Sequence, residues 1–180
     1  TAAPVQSQAR LQVELALGRL KSVRIAVLYD RGDYGQRQAE HIKGILENDP
    51  RARLVHDEGV TPGAGGYSGI VARVKESGAE AVIFSGYPPE ASKIVRRMCK
   101  TGTKTAFIAD DGVQPDTFIS LAGAYANGVY ATGPKDVSGN RMADAAVETY
   151  RRTYGAEPGP FFLQAYAAVL ALLHAMKTSG

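Results

Sequence analysis

Cysteine is almost absent from this chain, and its scarcity limits the kinds of site that the chain can contain. A single cysteine, Cys99, excludes an intrachain disulfide and leaves a cysteine-based metal site unsupported. Cys99 lies in the pattern IVRRMCKTG, which predicts a small hydrophobic residue facing the core. The three histidines, His41, His56 and His174, fall on separate predicted elements without the spacing of metal ligands. We therefore expect no metal site.

Long apolar runs are missing as well. Charged or polar residues interrupt every hydrophobic block, so no segment reaches the roughly 20 consecutive apolar residues of a membrane span. The first residues, TAAPVQSQARLQ, lack the basic stretch and apolar core of a signal peptide. The net charge of +3 comes from scattered basic residues. Their closest cluster, from Arg96 to Lys104, predicts a solvated helix face, and because no nucleic-acid-reading motif accompanies it we expect no nucleic-acid partner.

The composition is that of a soluble globular protein. Apolar residues make up 44% and charged residues 22% of the 180 positions. This length suffices for one full core and is short for two ordinary domains, so we expect residues 1–180 to form a single, monomeric domain.

Short apolar runs alternate with longer helical patterns along the chain. Strands are predicted at 24–29, 53–60, 81–85, 105–109 and 128–132, and helices at 6–20, 33–48, 67–77, 88–101, 115–122, 141–154 and 162–176. This alternation predicts a three-layer α/β/α sandwich with a parallel five-stranded sheet in the order 2-1-3-4-5. Asp33 and Gln36 have the spacing of a capping box, and Gly78 is a natural end for its helix.

Ligands of open parallel sheets bind beyond the carboxyl ends of the strands. The segments 30–35, 86–90 and 110–112 follow the first, third and fourth strands. Two tyrosines, Tyr34 and Tyr87, and an acidic pair are therefore expected on one rim. Because these segments contain no histidine, cysteine or serine elbow, they suit the binding of a small polar cation rather than acid–base or nucleophilic chemistry. We expect a binding protein without a cofactor, not an enzyme.

Each rim residue also has a purely structural interpretation. Tyr34 could pack its ring under the first helix, and Asp111 could be a turn residue before Gly112. Tyr87 stands where Ser or Asp would cap the next helix better, which indicates another role. Asp110 is expected to be the surface residue of the acidic pair.

Two other classes of protein have related patterns. A receiver domain shares the 2-1-3-4-5 sheet, but the first strand here ends in the lone Asp30 and the third in Ser85, so its acidic pair and phosphoacceptor are missing; Lys135 is a partial match. A nucleotide-binding enzyme would need a full G-x-G-x-x-G motif and an acidic ribose ligand. The glycines at 63–66 have neither and predict a flexible turn.

Four segments carry a resemblance to a known family. YDRGDYGQ, GVTPGAGGYSGIVARVKESGAEAVIFSGYPPEASKIVRRM, KTAFIADDGV and FFLQAYAAVLAL resemble the leucine/isoleucine/valine-type periplasmic binding proteins, most specifically at the turn 86–90. The resemblance implies the type I periplasmic-binding-protein fold, an amino acid trapped between two lobes, and delivery to the membrane permease of an ABC importer from the periplasm or the extracellular face. It also implies that residues 1–180 are the C-terminal lobe alone, with crossings to the first lobe near residues 1–3 and after 179–180.

The resemblance implies roles for four residues. Tyr34 and Tyr87 match aromatic ligand contacts, Asp111 matches the acidic partner of the ligand ammonium, and Phe161 matches an aromatic wall of the side-chain pocket. Relatives more often have Glu at position 111, and the shorter Asp leaves room for a water molecule. The groups that hold the ligand carboxylate are implied in the other lobe. The same fold also serves ligand-sensing domains of receptors and regulators, which stays the alternative.

Overall fold

A computed structural model describes residues 4–113, 116–137, 139–159 and 161–179. Its contacts divide the chain into two compact units, one covering residues 4–133 and the other beginning at Pro134. The sheet and its helix layers all lie in the first unit. Whether the second unit belongs to the same lobe is not tested by this division, so the single lobe over residues 1–180 stays a prediction.

The first unit is built on a five-stranded parallel sheet. Its strands are β1 (Arg24–Asp30), β2 (Arg53–Val60), β3 (Ala81–Ser85), β4 (Ala106–Ala109) and β5 (Val129–Ala131). The order is β2-β1-β3-β4-β5, which confirms the predicted sheet. Tyr29 pairs with Ser85 and Phe84 with Ala109, so β1, β3 and β4 end at the same edge. The loops after these three strands therefore meet on one rim.

Helices cover both faces of this sheet. They are α1 (Val5–Glu14), which continues as a π-helical turn (Leu15–Arg19), α2 (Asp33–Glu47), α3 (Ser68–Glu76), α4 (Pro88–Lys100) and α5 (Asp116–Ala122). Inward residues of α1 and α2 share a core with Ile25, Val27 and Ile83. The opposite core joins α3, α4 and α5 to alternate strand residues such as Leu28 and Phe84. This is the predicted three-layer arrangement, and burial on both faces explains the near-continuous apolar strands.

The predicted capping box at the start of α2 is wrong. Helix α2 begins at Asp33 with Gly32 as its N-cap residue, and the Gln36 side-chain amide donates to the Arg31 carbonyl instead, at 2.8 Å. A glycine N-cap suffices because the buried Asp30 carboxylate accepts the Gly32 N–H, which fixes the entry of the chain into the helix.

Cys99 is also placed differently from its prediction. It lies exposed on α4, whereas Ile94, Val95 and Met98 supply the buried face. The helical period turns position 99 outward once these residues face the sheet. Helix α3 ends before Gly78, as predicted, and this glycine has a φ of 66°. Pro115, the first residue of the predicted short helix, lies outside the described residues.

The second unit contains α6 (Arg141–Tyr154) and α7 (Phe162–Ser179). The Asn140 side chain caps α6 by accepting the backbone N–H groups of Met142 and Ala143 at 3.0 and 3.2 Å. Tyr150 on α6 lies edge-on to Phe162 on α7, with ring centroids 4.9 Å apart. In the described residues, no helix combines the length and the apolar character needed to cross a bilayer.

Candidate ligand-binding rim

Three of the four predicted site residues lie together where β1, β3 and β4 end. Tyr34 is in the first turn of α2, Tyr87 directly precedes α4, and Asp111 opens a 3₁₀ turn after β4. The rings of Tyr34 and Tyr87 are tilted by 41° with centroids 6.4 Å apart. The Tyr34 hydroxyl donates to Asp111 Oδ1 at 3.1 Å. We call this set of three side chains the rim.

A residue that sequence reasoning missed completes the surroundings of Asp111. The Gln8 side-chain amide donates to Asp111 Oδ2 at 3.1 Å, and its carbonyl oxygen accepts the Asp111 backbone N–H at 3.4 Å. Gln8 is buried on α1, as is Gln12 one turn later. The sequence contains no local signal for this pair, because the buried face of α1 is set by packing against elements distant in sequence; once buried, polar side chains require partners.

Tyr34 acts as a hydrogen-bond donor because its phenol resists ionisation. Burial raises the pKa of Tyr34 strongly, and the negative charges of Asp110 and Asp111 raise it further. A phenol with its ordinary pKa of about 10 is already protonated at neutral pH, so the Tyr34 hydroxyl donates to Asp111 and orients its carboxylate. The purely structural interpretation of Tyr34 is incomplete, since its polar end contacts the rim carboxylate.

Tyr87 is the most open residue of the rim. It is 52% exposed and occupies the N-cap position of α4, where its side chain makes no capping hydrogen bond within the described part of the chain. Pro88 and Pro89 fill the first turn of α4, where missing N–H donors cost little. The exposed ring is therefore available to a ligand that lies over the rim.

Asp110 is not the surface residue that the sequence predicted. Its exposed fraction is 0%, and both carboxylate oxygens are engaged: Oδ2 accepts the Gly86 N–H at 3.0 Å and Oδ1 accepts the Gly112 N–H at 3.1 Å. Burial raises the pKa of Asp110 to about 7, although these two N–H groups lower it. The Asp110 side chain lies between the loops that follow β3 and β4, and backbone N–H groups of these loops take the place of water as its hydrogen-bond donors.

Asp30 plays a comparable part at the end of β1. It is buried, and Oδ1 accepts the Gly32 N–H at 2.9 Å. Burial raises the pKa of Asp30 as well. An added Cβ at Gly35 would lie 2.3 Å from Asp30 Oδ1 and 2.8 Å from the Asp30 carbonyl oxygen. The glycine after Tyr34 is therefore required by close packing against the end of β1.

The glycine-rich segment after β2 is tied to the same edge. Buried Glu90 accepts the Gly63 N–H at 3.0 Å, and the Lys93 ammonium donates to the Ala64 carbonyl at 2.7 Å. The predicted turn is therefore anchored by α4. Within the described residues, no group of three or more His, Cys, Asp or Glu side chains is arranged to hold a metal ion.

Phe161 lies in the second unit, immediately before α7, and is 42% exposed. Its predicted place beside the rim stays a prediction.

Comparisons with known proteins give consistent matches. The family model described as periplasmic binding protein matches residues 3–180. An amino acid binding protein of Pseudomonas aeruginosa is 35% identical over 163 residues, which cover 89% of this chain and 43% of that protein. A Leu/Ile/Val-binding protein homologue of Brucella suis is 34% identical over 89% of this chain and 43% of its own length. The leucine-specific-binding protein of Salmonella typhimurium is 30% identical over all of this chain and 48% of its own.

Solved structures show the same fold. A leucine-binding protein from Thermotoga maritima superimposes with a TM-score of 0.83 at 22% identity, over 98% of this chain and 51% of that one. A branched-chain amino acid transporter substrate-binding protein from Streptococcus pneumoniae, in complex with isoleucine, gives 0.77 at 24% identity, over 92% and 47%. The chain thus spans about half the length of the proteins that it matches.

Proposed function

Because this chain belongs to the periplasmic binding protein family, we propose that it is the ligand-contacting lobe of a substrate-binding subunit of an ABC importer. Its ligand is an amino acid with an apolar side chain, held between this lobe and a second one. The observation that carries the proposal is the Asp111 carboxylate, which Tyr34 and Gln8 orient, together with the Tyr87 ring, whose centroid lies 6.4 Å from that of Tyr34.

The chemistry of the rim suits a ligand with an ammonium group and an apolar body. A carboxylate in a partly desolvated site forms a charge-assisted hydrogen bond to an ammonium group. The two tyrosine rings offer faces that attract a cation and cover apolar surface. Amino acids with branched aliphatic side chains combine both features. The names of the relatives from Brucella and Salmonella, which specify leucine, isoleucine and valine, support the same ligands.

Several further roles belong to this proposal. Tyr34 and Tyr87 form aromatic walls, and Asp111 binds the ammonium group. We identify the ligand-contacting lobe with the first unit, because that unit contains all five strands of the sheet. The protein works in the periplasm or at the extracellular face and delivers its ligand to a membrane permease. The other lobe supplies the groups that bind the ligand carboxylate.

Isothermal titration calorimetry tests the proposal with leucine, isoleucine and valine. One charge-assisted hydrogen bond contributes about 1.5–3 kcal/mol, whereas a micromolar complex requires about 8 kcal/mol. We therefore expect the chain alone to bind in the millimolar range or not measurably, and the complete two-lobed protein to bind at micromolar concentration or below. 4-Methylpentanoate, which is leucine without its amino group, is the matched control and should bind far more weakly. The proposal is wrong if the two-lobed protein binds none of the amino acids.

A further inference from the structure

Asp110 joins the two loops that carry Tyr87 and Asp111. Its Oδ2 accepts the N–H of Gly86, the residue before Tyr87, and its Oδ1 accepts the N–H of Gly112, the residue after Asp111. The loops also meet directly, since a Cβ added to Gly112 would lie 2.6 Å from the Gly86 carbonyl oxygen. One buried carboxylate therefore sets the spacing between two of the three rim residues.

We propose that Asp110 is a positioning residue for the ligand, holding the loops of Tyr87 and Asp111 in register through the two oxygens of its side chain. This inference rests on the proposed function, since it assigns Asp110 a part in forming the same site. Asp110 itself does not contact the ligand, because its side chain is fully buried behind the rim.

The surroundings of Asp110 link this role to protonation. The titratable groups around it are Asp30 at the end of β1, Tyr34 on α2 and the adjacent Asp111. Burial and the two neighbouring carboxylates raise the pKa of Asp110 to about 7, against the effect of the glycine N–H groups. When Asp110 is protonated, the oxygen that bears the proton becomes a poorer acceptor and one loop loses its anchor.

A ligand ammonium group at Asp111 should favour the ionised form of Asp110. A positive charge nearby lowers the pKa of a carboxyl group, so ligand binding near pH 7 should release a proton. The affinity for the ligand should therefore be highest above pH 7 and should fall as the pH drops below the pKa of Asp110 in the free protein. We expect affinity to be about sevenfold weaker at pH 5.5 than at pH 8, corresponding to a lowering of this pKa by about one on binding.

Amide hydrogen exchange on the ligand-free chain tests the anchoring by itself. We expect the Gly86 and Gly112 amides to exchange faster in Asp110→Ala than in wild type, and one of them to exchange faster in Asp110→Asn, which keeps a single acceptor oxygen. Asp33→Asn, which changes an exposed carboxylate at the start of α2, should leave both amides unaffected. Equal protection of both amides in wild type and Asp110→Ala would overturn the proposal.

Calorimetry of the two-lobed protein with leucine then tests the link to the ligand. At pH 8, Asp110→Asn should bind about 5- to 10-fold more weakly than wild type, because one of the two loops loses its anchor. The variant should also lose the pH dependence between 5.5 and 8 and the proton release seen in buffers of different ionisation enthalpy. A merely structural role would weaken binding and leave the pH profile in place, which would overturn the proposal. If wild type binds no amino acid, the proposed function fails while the amide result still decides whether Asp110 anchors the loops.

Discussion

Replacing Asp111 tests the proposed ammonium contact most directly. Asp111→Ala removes the charge and both acceptor oxygens, whereas Asp111→Asn keeps the shape and one acceptor oxygen. In wild type these oxygens accept hydrogen bonds from Tyr34 and Gln8, so the carboxylate is already oriented before the ligand arrives. Binding therefore loses little freedom at this position, and most of the interaction energy contributes to affinity.

The expected magnitude follows from the kind of hydrogen bond. A hydrogen bond to a charged group contributes about 1.5–3 kcal/mol, which corresponds to a roughly 10- to 150-fold change in Kd. We expect Asp111→Ala to weaken leucine binding by this factor in the two-lobed protein. Asp111→Asn should weaken it nearly as much, because the ammonium group then loses its opposite charge. Asp111→Glu retains the charge and should stay closest to wild type.

Calorimetry at 25 °C measures these changes, with thermal melting to show that each variant is folded. Melting matters because Asp111→Ala leaves Tyr34 and Gln8 with one hydrogen-bond acceptor fewer, which costs about 1–3 kcal/mol of stability. Asp33→Asn is the matched control, since it removes an exposed carboxylate next to Tyr34 in sequence. The reasoning is refuted if Asp111→Ala binds leucine as tightly as wild type, or if Asp33→Asn weakens binding equally.

Three further predictions concern the fold and the open side of the rim. Gly35→Ala places a Cβ 2.3 Å from Asp30 Oδ1 and should lower the free energy of unfolding in urea by about 1–3 kcal/mol. The control Gly44→Ala lies on the same helix in open space and should raise the free energy of unfolding by about 0.5–1 kcal/mol. Equal effects of the two variants would contradict the packing argument. Tyr87→Ala, at a 52% exposed position, should leave the free energy of unfolding within about 0.5 kcal/mol of wild type while weakening leucine binding, and a lower stability with unchanged affinity would assign Tyr87 to the fold. The chain alone should be a monomer with one cooperative thermal transition; a broad melt with dye-binding surface would argue against an independently folding domain.

The sheet could be predicted from the sequence because its strands are buried on both faces. Such strands form short apolar runs that contrast with the helical period between them, and the carboxyl ends of β1, β3 and β4 then place the rim. The bounds of α4 and α6 were also predictable, from Pro88 at the start of one and Gly155 at the end of the other. Proline and glycine act locally, so a pattern of a few residues suffices.

Burial of polar side chains could not be predicted in the same way. Asp110 and Gln8 are buried because loops and helices distant in sequence meet them, and their partners Gly86 and Asp111 are 24 and 103 positions away. Asp110 and Asp111 are the same residue type in the same turn, so no local pattern shows which of them the loops enclose. The face of α1 shows the same limit: Leu11 is half exposed while Gln8 takes a buried position.

The acidic pair at the end of β4 shows how one strand end can serve structure and ligand at once. Successive residues at a strand end point in different directions, so Asp110 is enclosed by the loops while Asp111 meets Tyr34 on the rim. The backbone N–H groups that compensate the buried charge of Asp110 belong to the loops that carry Tyr87 and Asp111. Among the described residues, the side-chain donors to the Asp111 carboxylate are the neutral groups of Tyr34 and Gln8, which are weaker partners for a carboxylate than an ammonium group is. In the proposed function, the ligand ammonium group is therefore the strongest electrostatic partner of Asp111, and it also offsets the repulsion between the two adjacent carboxylates.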